Sequence, residues 1–213
     1  MHRYKYNHHS AMGITERKER EKQEKKALIL EAATKMFLED GFDKTSLRNI
    51  ADKIEYSPAT IYLYFKDKNE LFYAIQEKGF ELLLKQFRKL STIKDPFEKL
   101  IRIGKEYLKF AEKNPEYYDL MFIMRAPMIH IEEKDNWDCG MQSFLFLHEV
   151  VAECIKKKKL KSKNADMASI AIWSFAHGLA ALHIRDRFKN MHKVKINILM
   201  EEELTEMMNM MKA

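Results

Sequence analysis

Hydrophobic positions recur along this chain at the three- and four-residue spacing of an α-helix. In the segment KALILEAATKMFLEDGF, six apolar side chains share one helical face: Leu28, Ile29, Ala32, Ala33, Met36 and Phe37. Gly41 followed by Phe42 is typical of a helix stop with glycine in the left-handed conformation. No run alternates as a strand does, and the chain has only 6 Gly and 4 Pro. The pattern predicts an all-α protein of about nine helices.

Several helix starts can be located from N-cap residues and prolines. Ser57, Asp95 and Asn114 each precede a proline, which is the preferred arrangement at the first turn of a helix. Thr45 is the expected N-cap of a short helix in TSLRNIADKI, whose inward face would be Leu47, Ile50, Ala51 and Ile54. Between residues 125 and 140 the helical pattern breaks, so we expect a loop there.

The short segment SPATIYLYF places two kinds of surface on one helix. Ile61 and Phe65 point one way as an anchor, with Tyr64 on the flank. The opposite face carries Ala59, Thr60, Tyr62 and Leu63. A helix this short gains little stability alone and must be held by its neighbours. We therefore expect the outward face to be a reading surface.

The order of the first helices predicts a DNA-binding motif. The TSLRNIADKI helix and the SPATIYLYF helix are separated by the three residues EYS, and a longer helix precedes both. Two short helices joined by a tight turn form a helix-turn-helix, whose second helix enters the major groove.

About 50 residues, KALILEAATKMFLEDGFDKTSLRNIADKIEYSPATIYLYFKDKNELF, resemble the N-terminal DNA-binding domain of the tetracycline-repressor (TetR) family. The resemblance implies a three-helix DNA-binding domain at residues 23–84, with its motif at 46–65, after an arm and the start of the first helix at 1–22. It also implies a recognition helix at residues 57–64 that begins at Ser57. The implied groove contacts are Ala59, Thr60 and Tyr62, and the implied phosphate contacts are Thr45, Ser46, Tyr64 and Lys68.

Two residues in the turn depart from the family pattern. Glu55 stands where the family often has glycine, and a non-glycine residue in the left-handed conformation costs about 1 kcal/mol. Tyr56 replaces a smaller apolar residue.

The rest of the chain, residues 85–213, is predicted to form an antiparallel helical bundle for ligand binding and dimerisation. The segment IWSFAHGLAAL resembles the Trp-x-x-x-His-Gly signature of one TetR C-terminal class, with Trp173 and His177 on one helix face. His177 is either a hydrogen-bonded core histidine or a polar group of a ligand pocket. The helices at residues 164–187 and 195–212 are apolar enough to predict a homodimer through a four-helix interface.

Aromatic and methionine side chains recur on the inward faces of these helices, which predicts an apolar ligand pocket; a fully packed core is the alternative. The candidate lining residues are Tyr107, Tyr118, Met121, Phe122, Phe144, His148, Trp173 and His177. Nothing charged clearly joins this set. We therefore expect a hydrophobic or aromatic effector, neutral or weakly ionised.

Composition and charge narrow the function further. The formal net charge of +6 and pI near 9.1 favour an anionic partner, although the surplus within residues 1–68 is small. The N-terminus lacks the apolar run of a signal peptide, and no stretch approaches 18 uninterrupted apolar residues. Cys139 and Cys154 form no metal-binding spacing and are expected to be reduced thiols. We expect a cytoplasmic protein without membrane association.

No common catalytic signature occurs in the sequence. Phosphate-loop, zinc-protease, serine-hydrolase and di-iron motifs are missing, so we expect no catalytic residues, no metal site and no cofactor.

These features together predict a ligand-responsive, homodimeric transcriptional repressor that binds double-stranded DNA at a pseudo-palindromic operator. A small-molecule effector in the bundle would shift the helix that begins at Lys68 and so change the spacing of the two recognition helices. The alternative is a helical small-molecule carrier or enzyme that retains the helix-turn-helix without using it.

Overall fold

The structure, a computed structural model, describes residues 9–125, 127, 138–189 and 196–213. Within these residues the chain forms nine α-helices and one 3₁₀ turn at Lys89–Thr92. The helices are α1 His9–Asp40, α2 Leu47–Lys53, α3 Pro58–Tyr62, α4 Lys68–Arg88, α5 Pro96–Lys113, α6 Pro115–Phe122, α7 Asp138–Lys156, α8 Ala165–Ile184 and α9 Ile196–Met211. The only extended pairing among the described residues is an isolated bridge between Leu160 and Lys212. The predicted all-α class is confirmed.

The chain divides into two compact units, Met1–Ile75 and Gln76–Ala213. The boundary therefore falls inside α4, earlier than the predicted boundary after residue 84. The reason is packing: Phe80 of α4 lies edge to face with Phe122, with ring centroids 5.4 Å apart, and Gly79 lies against Met121. The second half of α4 thus belongs to the C-terminal bundle.

The core of the N-terminal unit is built from α1, α2, α3 and the first turns of α4. Phe37 and Phe42 pack edge to face on Phe72, with ring centroids 5.2 and 4.6 Å away. Ile29 and Ala33 are buried as predicted, whereas Leu28 is exposed. The apolar face of α1 is thus narrower than the sequence pattern indicated.

The turn between α1 and α2 corrects one predicted cap. Gly41 has a φ of 82° and donates its N–H to Phe37 O at 2.9 Å, which ends α1 in the left-handed stop expected for glycine. The N-cap of α2 is Ser46, whose Oγ accepts from Asn49 N at 3.1 Å. Thr45, the predicted cap, is instead buried, and its hydroxyl donates to Gly41 O at 2.8 Å.

The C-terminal unit is a helical bundle in which α5 packs against α6, α7, α8 and α9. Gly104 of α5 permits the close approach of α9, since a Cβ there would lie 2.6 Å from Leu204 Cδ2. Asp95 caps α5 through bonds from Phe97 N and Glu98 N, as predicted. Asn114 precedes α6, but its side-chain amide donates back to Phe110 O at 2.9 Å and so closes the end of α5.

Among the described residues, three helices end with a non-glycine residue in the left-handed conformation. Glu55, Lys158 and Asp186 have φ values of 58°, 55° and 55° and follow α2, α7 and α8. In each case the next residue donates its N–H back into the last helical turn, as Tyr56 N does to Ala51 O at 2.9 Å. This is the Schellman stop, which favours glycine at the left-handed position. The predicted strain at Glu55 is therefore present.

In the part of the chain that the structure describes, one helix is long and apolar enough, by length and composition, to cross a membrane. It is α8, whose best 18-residue window has a mean hydropathy of 1.4. A mostly buried core helix passes the same test, whereas 28% of this window of α8 is buried, including Ala168, Ile172, Ala176 and Ala180.

We predict that Glu55→Gly stabilises the N-terminal unit by about 0.5–1 kcal/mol, because glycine adopts the left-handed conformation without a Cβ clash. The measurement is the free energy of unfolding from urea titration. Glu55→Ala is the control, since alanine keeps the Cβ and should give no gain. Equal stabilities for the glycine and alanine variants would contradict the assignment of strain.

Candidate nucleic-acid interface and ligand cavity

The α2–turn–α3 segment fixes a five-residue helix at the protein surface. Ser57 is the N-cap of α3, and its Oγ accepts from Thr60 N at 3.2 Å and lies 2.9 Å from Thr60 Oγ1. Pro58 occupies the first turn, as predicted. Ile61 and Phe65 are fully buried and anchor the segment to the core of the unit.

The outward side of α3 is exposed in the way the sequence predicted. Ser57 and Ala59 are exposed, Thr60 is half-buried, and Tyr62 and Leu63 are 58% and 77% exposed. Tyr64 is half-buried on the flank. The helix ends at Tyr62, and Leu63 and Tyr64 continue in a tight turn through bonds to Thr60 O and Ile61 O. A small, hydroxylated and aromatic surface of this kind suits contact with base edges.

Two of the implied phosphate contacts have other structural roles. Thr45 is fully buried, so its side chain cannot reach a phosphate, and we drop it from the candidate contacts. Ser46 is half-buried as the cap of α2.

Lys68, the first residue of α4, is held inside its own unit. Its Nζ donates to Phe42 O at 2.6 Å and lies 3.7 Å from the centroid of the Phe42 ring, a cation–π contact. Partial burial lowers the pKa of the Lys68 ammonium, and Asp43 partly offsets this effect. Lys68 thus ties the start of α4 to the turn after α1, besides any contact with DNA.

Sequence reasoning missed other cations on this unit. Lys44, Arg48 and Lys53 are exposed before, within and at the end of α2. Because α2 adjoins the recognition helix in a helix-turn-helix, these side chains are candidate phosphate contacts. The position of these three residues beside the predicted motif could have identified them. Their charge alone did not distinguish them from ordinary surface residues.

The C-terminal unit contains an apolar cavity of about 270 Å³. Its walls come from α4, α5, α6, α7 and α8, and none of the described lining residues is charged. The lining residues are Phe80, Leu83, Phe87, Ile103, Gly104, Tyr107, Phe122, Gly140, Met141, Ser143, Phe144, Leu147, Ile170, Ile172, Trp173 and Ala176.

Four of the eight predicted pocket residues line this cavity: Tyr107, Phe122, Phe144 and Trp173. Tyr118 and His177 lie behind the wall, and Met121 packs against Gly79. His148 lies outside the cavity lining, and its Nε2 bonds to Asp166 Oδ1 at 2.9 Å at the surface. An acidic residue at the start of the next helix explains why His148 turns away from the cavity.

The wall that α4 contributes was not predicted. Phe80, Leu83 and Phe87 recur at helical spacing, which is a signal available in the sequence. Phe80 and Leu83 were missed because the predicted DNA-binding domain extends to residue 84, whereas Phe87 lies within the predicted bundle and was not singled out.

Behind the cavity wall, two tyrosines and a histidine form one hydrogen-bonded cluster. The hydroxyls of Tyr107 and Tyr118 lie 3.1 and 2.8 Å from His177 Nδ1, and the Tyr118 hydroxyl also lies 3.1 Å from His177 O. Burial raises the pKa of Tyr107 well above its usual range and that of Tyr118 to about 12. Burial, together with the positive charge of Arg185, lowers the pKa of His177. All three groups are therefore uncharged at neutral pH.

A buried amide joins α4 to the end of α6. Gln76 is fully buried, and its Nε2 lies 3.2 Å from Leu120 O and 3.3 Å from Met121 O. Its Oε1 has no hydrogen-bond partner among the described residues.

The fold and the α2–α3 geometry define a helix-turn-helix protein. A family model described as bacterial regulatory proteins of the tetR family matches residues 29–75. A model described as the tetracyclin repressor-like C-terminal domain matches residues 100–207, which is half of the chain. The chain therefore belongs to the TetR family of bacterial regulatory proteins. The resemblance of the Trp173–His177 segment to one C-terminal class stays a prediction.

Individual relatives agree with this family. The uncharacterised HTH-type transcriptional regulator YhgD of Bacillus subtilis is 41% identical over 65 residues, which cover 30% of this chain and 32% of YhgD. The chain spans less than half the length of the curated relatives it matches first.

Solved structures match over most of the fold. A TetR/AcrR-family regulator from Thermobifida fusca has a TM-score of 0.64 at 21% identity, covering 87% of this chain and 96% of that one. FadR of Bacillus halodurans, a fatty acid degradation regulator, has a TM-score of 0.66 at 17% identity, covering 86% and 94%.

We predict that stability depends on pH through His177. Its pKa is lowered from 6.5 in the folded chain, so the unfolded chain binds the proton more readily. The contribution of His177 to folding stability is thus full above pH 6.5 and is lost as the pH falls below it. His177→Gln should flatten the dependence of the urea midpoint on pH below 6.5. His148→Gln, at the surface, is the control; equal pH profiles for wild type and His177→Gln would refute the prediction.

Proposed function

We propose that this chain is a repressor that leaves its operator when a small hydrophobic molecule binds in the C-terminal cavity. The observation that supports this most is the uncharged, apolar cavity to which α4 contributes Phe80, Leu83 and Phe87. The same helix begins at Lys68, which contacts the turn before α2 in the DNA-binding unit.

Sequence-specific DNA contact is proposed for the exposed side of α3. Ala59, Thr60 and Tyr62 are the candidate groove contacts, and Leu63 extends the same exposed surface. An apolar or aromatic side chain can contact a thymine methyl, and a hydroxyl can bond to either base-pair type. Ser46, Ser57, Tyr64 and Lys68 remain candidate phosphate contacts. Thr45 is no longer a candidate phosphate contact, because its side chain is buried.

The effector is proposed to be neutral and hydrophobic or aromatic. The cavity of about 270 Å³ has no charged side chain among its described lining residues, and the hydroxyl of Ser143 already donates to Cys139 O. A phosphorylated molecule would leave its charge unpaired in these surroundings, which is costly. Tyr107 lines the cavity, but its hydroxyl is already bonded to His177 in the cluster behind the wall.

Coupling between the effector and DNA is proposed to run through α4. A ligand that displaces Phe80 or Phe122 alters the contact between α4 and α6, which Gln76 also bridges. A displacement of α4 would move its first residue, Lys68, and with it the turn held by the Phe42 contacts. Such coupling requires that ligand and operator affect one another's affinity equally.

A homodimer is proposed through α8 and α9. One side of α8 carries exposed residues at helical spacing, with Met167 and Ile170 being 70% and 53% exposed, followed by Ala171, Ser174 and Leu182; the half-buried Gly178 lies in the same row. A Cβ at Gly178 would meet nothing within 4 Å, which leaves room for a partner helix. Ile198 and Met210 are exposed apolar residues on α9.

The alternative function is that of a carrier or enzyme in which the helix-turn-helix is not used. It requires that the chain bind no duplex sequence-specifically, so the first experiment below separates the two.

Tyr62→Ala should weaken binding to an operator selected from random duplexes by about 1–3 kcal/mol, because it removes a groove contact. Fluorescence anisotropy with a labelled duplex measures the change. Ser91→Ala, an exposed hydroxyl outside the DNA-binding unit, is the control and should bind as wild type does. If no operator can be selected, or Tyr62→Ala binds it unchanged, the assignment of α3 fails.

Ligand binding in the cavity should change Trp173 fluorescence and release operator DNA over the same concentration range. The other tryptophan is replaced in Trp137→Phe, so that Trp173 alone reports, and a panel of neutral aromatic and aliphatic compounds is screened.

Ala176→Leu partly fills the cavity and should weaken binding of active compounds by about tenfold or more, or about 1.4 kcal/mol. Ala152→Leu, on α7 outside the lining, is the matched control. Compounds that bind beside Trp173 without changing DNA affinity would refute the regulatory role.

Gly178→Lys should convert the dimer to a folded monomer in sedimentation at micromolar concentration, because a charged side chain would be buried between the two α8 helices. Leu145→Lys places the same charge at an exposed position on α7 and should leave the dimer intact. A wild-type protein that sediments as a folded monomer would overturn the proposed interface.

A further inference from the structure

The first helix begins well before the core that holds it. α1 starts at His9, but the first fully buried residue among those described is Ile29. Every residue from 15 to 25 is exposed, and this stretch, TERKEREKQEK, contains no apolar side chain. We call residues 15–25 the α1 extension. At a rise of about 1.5 Å per residue, the α1 extension is about 16 Å long.

The arginines of the α1 extension are paired with glutamates. Arg17 Nε lies 3.2 Å from Glu21 Oε1, and Arg20 Nε lies 3.8 Å from Glu24 Oε1. Both pairs join residues four apart, which is the ordinary arrangement on a solvated helix. The two arginines therefore need no further anionic partner.

The lysines of the α1 extension lie together on the other side of the helix. Lys18, Lys22 and Lys25 follow one another at i, i+4 and i+7. At about 100° per residue they fall within about 60° of the helix circumference, and none of the four glutamates of the extension falls there. All three lysines are exposed, and no carboxylate of the described residues lies within ion-pair distance of them. We call these three residues the lysine row.

The lysine row continues the side of α1 that faces the core. Ile29, four residues after Lys25, carries the same face into the buried interior of the N-terminal unit. On the flank of this face, Lys26 Nζ lies 5.4 Å from the centroid of the Phe65 ring. Phe65 anchors α3, and both helices belong to one compact unit. The lysine row therefore leaves the core on the side of α1 that faces the α3 segment.

We propose that the lysine row binds phosphates of duplex DNA beside the base pairs that α3 contacts. Lysine is a compact point charge that suits a phosphate, and phosphate contacts position a protein on the duplex. The recognition helix α3, PATIY, carries no cation and is only about 7.5 Å long. The α1 extension is about as long as five base pairs. It extends the contact to backbone outside the segment that α3 reads.

The composition of the α1 extension favours duplex DNA over other anionic partners. A helix that lies on a lipid surface needs an apolar face, and the extension has none. Single-stranded nucleic acid favours exposed aromatic side chains, which the extension also lacks. Duplex backbone needs neither, because its phosphates are bound by charge alone.

This inference rests on the proposed binding of α3 to an operator and not on the proposed effector or coupling. In this arrangement α3 discriminates between sequences, and the lysine row adds an attraction that depends on salt. Counterion release makes log affinity fall with log salt by a slope of about 0.9 for each phosphate neutralised.

The test measures binding of the full chain to two duplexes by fluorescence anisotropy across a range of KCl concentrations. One duplex is the selected operator with long flanking sequences, and the other is the same operator without them. Lys18→Gln with Lys22→Gln should lower the slope on the flanked duplex by about two for each bound protomer. Affinity for that duplex at about 0.1 M salt should fall by about tenfold or more. On the trimmed duplex the variant should bind as wild type does, because the contacted phosphates are absent.

The matched control is Arg17→Gln with Arg20→Gln, which removes the same charge from the opposite side of the same extension. It should leave the slope on the flanked duplex near that of wild type. Lys18→Arg with Lys22→Arg keeps the charge and should keep the slope. Circular dichroism should show equal helix content in all three variants, since glutamine, lysine and arginine have similar helix propensities.

Equal slopes for the lysine variant and the arginine control on the flanked duplex would overturn the proposal. A loss of slope of the same size on the flanked and the trimmed duplex would also overturn it, since the lysines would then act by general attraction. If no operator can be selected, the proposed function itself fails. If Tyr62→Ala weakens operator binding while the lysine variant changes nothing, only the role of the lysine row fails.

Discussion

An isolated helix of five residues is not stable in water, and α3 has five residues. Its position depends on the burial of Ile61 and Phe65, because the Ser57 cap alone contributes only about 1 kcal/mol. Those two side chains are held in turn by the core of α1, α2 and the start of α4. The orientation of Tyr62 and its neighbours is thus a property of the whole N-terminal unit.

In the C-terminal unit, the apolar cavity and the hydrogen-bonded polar side chains lie in separate places. Side chains of five helices line the cavity, while Tyr107, Tyr118 and His177 satisfy one another behind its wall. Because burial keeps all three groups uncharged at neutral pH, the wall presents no fixed charge to a ligand. The proposed preference for a neutral effector rests on this arrangement.

Local rules predicted much of the fold and less of the site. The proline starts at Pro58, Pro96 and Pro115, the glycine stop at Gly41 and the inward pair Ile61 and Phe65 depend on neighbouring residues, and all are present.

The predictions that were wrong or incomplete have a common cause. Thr45 donates to Gly41 O, His148 turns to Asp166, and Lys68 lies on Phe42, and each of these contacts depends on chain geometry that spacing does not encode. Most of the cavity wall from α4 was missed because one helix contributes to two units, which a division of the sequence into segments could not represent.

The buried amide of Gln76 has an energetic consequence. Its Nε2 holds the end of α6, but its Oε1 has no partner among the described residues, and a buried acceptor left unpaired costs about 1–3 kcal/mol. Coupling between two binding sites is typically of the same size, about 1–3 kcal/mol. A movement of α4 that gave this oxygen a donor would recover a free energy of that same order. The packing around Gln76 thus includes one unfavourable contribution, from its unpaired oxygen atom.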